Sequence, residues 1–297
     1  MTPKALKHRE ISSVGIIAKR NIVEHKETLH KIVNFLKKHK KEVLLDENCV
    51  ALFPDQKGYG KHALLNKVDL AIVLGGDGSL LKTARCLSRK KVIILGVNFG
   101  TLGFLTECTP DKMFDCLGRI FAGQFDVDKR AVLRVTIYRK SQKIDTFLAL
   151  NDAVINQGAF ARLIIMNLEI DGRQLAKVKA DGLIVATPTG STAHSLSAGG
   201  PIVHPRIEGL TISPICPSSL SMRPIILPDT RQLTITLETE RREEQAIIGL
   251  TLDGQDMITL KFGDIIKIRR SHRNFYLART GNRYYKMLRT KLHWGGI

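Results

Sequence analysis

Apolar residues recur along this chain with two different periods, and the period changes partway along. In the first 128 residues, short apolar runs alternate with helical stripes. Residues 14–18, 69–74 and 91–96 read as buried strands, and residues 43–45 as a weaker one. Between them, Leu29, Ile32, Val33 and Leu36 repeat at helical spacing, and residues 79–87 read as a helix. Met113, Phe114, Leu117, Ile120 and Phe121 line one further helix face. Strands alternating with helices predict parallel β-α-β units, and so an α/β domain over residues 1–128. Gly58, Gly60 and Ala63 have the spacing of a dinucleotide fingerprint but follow no strand pattern, so residues 58–63 read as a loop.

From about residue 130 the helical stripes give way to short strands. Residues 132–138, 146–150, 163–170, 183–187, 231–237, 246–252 and 264–268 all read as strands. Turn signals such as Asp171 with Gly172 and Asp253 with Gly254 separate some of them. Many short strands with few helical patterns predict an all-β sandwich over residues 129–279. Residues 283–292 return to a helical pattern, and the tail 280–297 is expected to pack back on the first domain.

Composition narrows the class. The 297 residues suffice for two domains, each with its own core, and 43% hydrophobic with 25% charged residues exclude a disordered chain. No apolar run approaches the roughly 18 residues of a membrane span. The first ten residues lack the apolar core of a secretion signal, which predicts a soluble, cytoplasmic protein without a membrane partner. Five cysteines, odd in number and without CxxC spacing, predict reduced thiols rather than a disulfide framework or a zinc site.

The formal charge of +18 points first to nucleic acid, but its distribution argues otherwise. Residues 1–42 carry +7 and residues 261–297 carry +9, which leaves +2 for everything between. The basic runs at residues 37–41 and 269–273 lack interleaved aromatics for stacking on bases. Solvated basic faces on terminal elements are the simpler reading, so nucleic acid is not an expected partner.

The chemistry concentrates in two stretches. A buried strand runs into Gly75, Gly76, Asp77 and Gly78, and Ser79 suits the N-cap of the next helix. Glycines let backbone N–H groups approach phosphate oxygens, and a helix N-terminus favours an anion. A tight turn would also use these residues, but three glycines around an Asp at a strand's C-terminal end favour a ligand loop. Asp77 would repel an anion unless it holds a metal or takes a proton from an attacking hydroxyl. No Walker sequence is present. Asn98, Phe99, Gly100, Thr101, Leu102 and Gly103 follow the next strand in the same manner, as a second wall of one crevice.

The second stretch runs from Ala180 to Pro201. A strand opens into Thr187, Pro188, Thr189, Gly190, Ser191 and Thr192, with a short helix expected from Ala193. Small hydroxyl residues at a helix start suit ribose or phosphate, and Asn151 with Asp152 adds acceptors for sugar hydroxyls. His194 is the one histidine of nine inside a candidate site. A catalytic pair of Ser191 and His194 lacks both a nucleophile elbow and an acidic partner.

Together, residues 75–78, 98–104, 151–152 and 187–193 resemble the bacterial NAD kinase family, in order and over nearly the whole chain. The glycine loop at 75–78 is shared with diacylglycerol kinases, and phosphofructokinases carry a similar turn; residues 189–193, leading to 197–201, are the specific part. The resemblance implies an N-terminal α/β domain, a C-terminal β-sandwich and NAD bound in the crevice between them. It also implies ATP as the second substrate, a divalent metal (Mg²⁺) bound mainly through ATP phosphates, no dedicated protein metal ligands, and a homo-oligomer, dimer or tetramer. Asp77 matches the family's proton acceptor, with Gly75, Gly76, Gly78, Lys82 and Asn98 beside it as nucleotide contacts. Asn151 and Asp152 match the pair that contacts NAD. Arg162, Lys179 and Asp181 fall on further binding positions, as does Gln255. Thr192, Ala193, His194, Ser195, Leu196 and Ser197 match the nucleotide-holding loop. His194 stands where Tyr is frequent and Asp152 where Glu is frequent. A lipid or sugar kinase would share the glycine loop without the loop at 187–197, and a noncatalytic dinucleotide-binding regulator would keep both.

Overall fold

The structure, a computed structural model, describes residues 3–19, 22–157, 163–238, 248–281 and 284–293. The chain divides into two compact units, residues 1–129 with 275–297, and residues 130–274.

The first unit is an open parallel sheet with helices. Its strands are β1 (Ser13–Ala18), β2 (Glu42–Asp46), β3 (Gly58–Tyr59), β4 (Leu70–Leu74) and β5 (Ile93–Val97), in the order β3-β2-β1-β4-β5. Tyr276 and Leu277 add a parallel neighbour to β5. Every residue of β1, β4 and β5 is buried, as expected where helices cover both faces of a parallel sheet. The helices are α1 (Pro3–Lys7), α2 (Lys26–Lys38), α3 (Glu47–Val50), α4 (Lys61–Lys67), α5 (Asp77–Arg85) and α6 (Met113–Phe121). Leu29, Ile32, Val33 and Leu36 form the buried stripe of α2, as their spacing requires.

The chain builds outward through β1, β2 and β3, then crosses back to lay β4 on the other side of β1. That reversal is the switch point where open α/β sheets place ligands, at the carboxyl ends of the strands. The loop at 75–78 leaves β4 at this edge. One expectation fails nearby. Residues 58–63 are not a loop: Gly58 and Tyr59 pair with Leu45 and Asp46, and α4 begins at Lys61. A two-residue strand is too short to show any periodicity. The helix expected at 79–87 starts at Asp77, with Gly76 in the N-cap position and Ser79 inside the first turn.

The second unit is antiparallel. Its strands are β6 (Asp126–Arg139), which enters from the first unit, β7 (Gln142–Ala149), β8 (Asp152–Gln157), β9 (Ile164–Ile170), β10 (Arg173–Ala186) and β11 (Gly209–Pro217). They continue as β12 (Ile225–Pro228), β13 (Leu233–Glu238), β14 (Ile248–Leu252), β15 (Asp256–Leu260) and β16 (Ile265–Arg279). The 14-residue β10 joins two layers of the sandwich. Its first half pairs with β9, and its second half lies between β8 and β11. Leu233, Ile235 and Leu237 on β13 are buried and the residues between them are not, the alternation of a half-covered strand. Two short helices complete the chain, α7 (His194–Ser197) and α8 (Tyr284–Leu292), with Leu288 of α8 buried in the first unit.

Candidate active site

In the first unit the two glycine-bearing loops lie side by side because β4 and β5 are parallel neighbours. The Gly75 N–H donates to the Val97 carbonyl at 2.8 Å, and a Cβ on Gly76 would stand 3.7 Å from the Asn98 side chain. Asn98 also shapes its own loop, accepting from the Gly100 N–H at 3.1 Å. The second loop does not form an open wall. It closes on Asp77, whose carboxylate accepts the N–H groups of Phe104 (2.9 Å), Leu105 (3.2 Å) and Thr106 (3.2 Å). Oδ1 takes two of these and Oδ2 one. A carboxylate has about four acceptor positions, so one on Oδ2 stays available. Gly103 makes this approach possible: a Cβ there would lie 2.2 Å from Asp77 Oδ1.

The same turn is braced from behind by Arg279. Its guanidinium donates to the carbonyls of Phe104 (3.0 Å), Leu105 (3.3 Å) and Thr106 (3.3 Å), and pairs with Glu107 at 3.2 Å and Asp128 at 3.3 Å. Glu107 is buried and also accepts the Thr280 N–H and hydroxyl, at 2.7 and 2.8 Å. Neither Arg279 nor Glu107 is visible as a site residue in the sequence, since no motif surrounds them. Gly78 is exposed at the helix start. Lys82 is exposed on α5, five residues from Asp77 and so about 140° around the helix.

In the second unit the polar residues at 151–152 and 187–203 form one knot. The Thr187 N–H donates to the Asn151 carbonyl at 2.8 Å, and its hydroxyl to the Leu150 carbonyl at 2.6 Å. Gly190 packs against the same Asn151 carbonyl, where a Cβ would come within 2.2 Å. The Ser191 hydroxyl, fully buried, donates to the Pro188 carbonyl at 2.7 Å and accepts the Val203 N–H at 2.9 Å. That use on the main chain removes it from any pairing with His194. Arg130 reaches the Thr189 hydroxyl at 3.3 Å. Of the loop at 192–197, His194 and Ser197 are exposed and Thr192, Ala193 and Leu196 are half-buried. Ser195 is buried, its hydroxyl 3.1 Å from that of Ser213.

Asp253 holds Asn151 and Asp152 in place. Its carboxylate accepts the N–H groups of Leu150 (3.0 Å), Asn151 (2.7 Å) and Asp152 (3.2 Å), and its own N–H returns to the Asp152 carbonyl at 3.0 Å. Asp253 adopts a left-handed φ of 52°, a conformation that Asp accepts more readily than most residues. The turn signal at 253–254 marked the place but not this duty. Asp152 is buried, and burial together with the neighbouring Asp253 charge pushes its carboxyl up to about 7. Gln255 follows in the same turn.

Lys179 and Asp181 lie on one face of β10, and Asp181 accepts from Gln157 at 3.3 Å. The β8–β10 register places Asp181 past the far end of the ladder from Asp152, about 17 Å along the strand, and Lys179 two residues further still. Arg162 lies outside the described residues. Among the described residues there is no group of three or more His, Cys, Asp or Glu side chains able to hold a metal ion.

The chain matches the ATP-NAD kinase N-terminal domain over residues 14–125 and the ATP-NAD kinase C-terminal domain over residues 150–280. It is 47% identical over 230 residues to the NAD kinase of Geotalea daltonii, covering 77% of this chain and 80% of that one. With the NAD kinase of Syntrophotalea carbinolica it shares 40% identity over 284 residues, 95% of this chain and 98% of the other. A solved structure of yeast NADH kinase complexed with NADH superimposes with a TM-score of 0.87 at 26% identity, covering 98% of this chain and 90% of that one. Both domains in their order, over a two-part α/β and β-sandwich architecture, show that this chain belongs to the NAD kinase family.

Proposed function

We propose that the protein is an NAD kinase that moves the γ-phosphoryl group of ATP to the 2′-hydroxyl of the adenosine ribose of NAD, giving NADP and ADP. The observation that carries this reading is the Asp77 carboxylate, fixed by three N–H groups at the carboxyl end of β4, with an acceptor position open on Oδ2. A ribose hydroxyl directed at that oxygen forms its bond to the γ-phosphorus as the bond to the β–γ bridging oxygen breaks. Its proton passes to Asp77, and ADP leaves with the bridging electrons. A carboxylate is a weak base for an alcohol, so the proton moves late, and the contribution is about 10²- to 10⁴-fold. Most of the acceleration comes from in-line placement and from neutralising charge on the phosphoryl oxygens.

The remaining residues position the substrates. The N-terminus of α5, with Gly75, Gly76 and Gly78, offers backbone N–H groups and a favourable dipole to phosphate oxygens, with Lys82 and Asn98 as further nucleotide contacts. Asn151 and Asp152, fixed by Asp253, read the ribose hydroxyls. Thr192, Ala193, His194, Leu196 and Ser197 hold the dinucleotide, and Ser195 sets the loop's shape from inside through Ser213. Arg162, Lys179, Asp181 and Gln255 supply the outlying contacts. A divalent cation, Mg²⁺ in this reading, is carried by ATP phosphates and water and supplies charge neutralisation.

Two further features belong to the same reading. A homo-oligomer, dimer or tetramer, would cover apolar side chains of the second unit such as Leu220 and Met257, which are 92% and 70% exposed. A cytoplasmic location agrees with five free cysteines. The test of the function is one incubation with ATP, Mg²⁺ and NAD, reading NADP with a coupled dehydrogenase. NADP formation is expected; phosphorylation of a lipid or sugar with no NADP would overturn it.

A further inference from the structure

The outer face of the second unit carries a cavity of about 300 Å³ that no part of the proposed reaction uses. Its walls follow from strand alternation. Leu133, Val135 and Ile137 of β6 are in the core, which turns Arg134, Thr136 and Tyr138 to the opposite face. Ile266 and Ile268 of β16 are likewise buried, which turns Lys267 and Arg269 outward. Lys143 of β7 stands across from Tyr138, and the Lys267 ammonium lies 5.1 Å from the centre of the Tyr138 ring. The side chains of Arg134, Lys143, Lys267 and Arg269 all line the cavity, with Gln232 at one end.

Among the described residues no carboxylate lines this cavity, and none pairs with any of the four cations. Arg269 reaches the Arg270 carbonyl at 3.4 Å and the His272 ring at 3.5 Å instead. The same unit neutralises its cations elsewhere. Arg139 pairs with Asp264 at 2.7 Å, Arg270 with Asp229 at 2.6 Å, and Lys177 with Glu238 at 2.7 Å. The acid next to the cavity, Asp171, is already taken by Arg231 and the Gln232 N–H, both at 3.0 Å. Four like charges collected in one concavity, without a counter-charge among the described residues, are matched by an anionic ligand.

The spacing selects among anions. Lys267 and Arg269 are about 7 Å apart along their strand, and Lys143 to Lys267 spans two strand spacings, about 10 Å. A single phosphate cannot touch all four cations, whereas a chain of phosphoryl groups can. We propose that the cavity over β6, β7 and β16 is a binding site for a short inorganic oligophosphate, held by Arg134, Lys143, Lys267 and Arg269.

Calorimetric titration of the full chain with sodium tripolyphosphate, without nucleotide, tests this. The wild-type protein should bind it, and Arg134→Gln combined with Lys267→Gln should weaken binding by about tenfold or more. Lys143→Gln, on an exposed strand, should weaken it about threefold as an independent check. The KM values for ATP and NAD and the melting temperature of these surface variants should stay within about twofold and a few degrees of wild type. Superimposable isotherms for wild type and the double variant would overturn the proposal, because tripolyphosphate would then sit elsewhere. Equal affinity for citrate through the same residues would overturn the oligophosphate assignment. So would a short RNA duplex that binds more tightly than tripolyphosphate and loses that binding in the double variant.

Discussion

Asp77 and Arg279 grip the same three residues from opposite sides. Asp77 accepts the N–H groups of Phe104, Leu105 and Thr106, and Arg279 donates to the carbonyls of those same three. An anion on the donor side and a cation on the acceptor side fix the turn through charge-assisted bonds. The turn in turn fixes Asp77, so Arg279 positions the proposed base without touching substrate.

Arg279→Lys keeps the charge but loses the fork that reaches three carbonyls. It should lower kcat about tenfold, an order of magnitude for a loosened positioning contact, while the KM for NAD stays within about twofold. Arg279→Met would also take the guanidinium away from the buried Glu107 carboxylate. Urea unfolding should then show a loss of about 3–5 kcal/mol. An unchanged kcat in the lysine variant would show that the turn does not set the position of Asp77.

Asp77→Asn removes the base and also offers an amide NH₂ to peptide N–H donors, a mismatch the carboxylate does not have. Turnover should fall about 10²- to 10⁴-fold with NAD binding retained, read by steady-state kinetics and by direct titration of NAD. Wild-type turnover in this variant would take Asp77 out of the proton-accepting role.

Two alanine substitutions should separate the kinetic constants. Gly103→Ala drives a methyl into the Asp77 carboxylate at 2.2 Å, so kcat should collapse. Gly190→Ala meets the Asn151 carbonyl at the same 2.2 Å and should raise the KM for NAD, with a smaller effect on kcat. Circular dichroism on both variants controls for folding. If Gly190→Ala left the KM for NAD at the wild-type value, the knot at 151–190 would not be the dinucleotide's seat.

The sequence showed the parts of this arrangement that are local and missed those that are not. The burial stripe of α2 and the strands β1, β4 and β5 were legible because each repeats a period over several residues. Gly75, Gly76, Asp77 and Gly78 were legible because a buried strand running into glycines is a dense signal. Residues 58–63 carry no strand signal of their own because Gly58 and Tyr59 gain their strand character from Leu45 and Asp46, which lie elsewhere in the chain. Arg279, Glu107 and Asp253 act over separations of about a hundred residues or more, through bonds to peptide groups. A side chain that binds backbone places no demand on its partners' identities, so no pattern in the sequence records it.

Asp152 links the site to pH. Its carboxyl, pushed up to about 7 by burial and by the Asp253 charge, holds its proton in the native state over a range where the unfolded chain has released it. Stability should therefore fall as pH rises from about 4 to about 7, by up to about 4 kcal/mol from this one group. Asp152→Asn abolishes that slope, so urea titrations should show the variant gaining on wild type at pH 8 and not at pH 4. Binding should run the other way. The ionised carboxylate accepts hydrogen bonds from ribose hydroxyls better than the protonated form does, so the KM for NAD should fall as pH rises through about 7. That ionisation should be missing from the KM profile of Asp152→Asn. A wild-type profile flat between pH 6 and pH 8 would remove Asp152 from contact with the ribose, whatever its effect on stability.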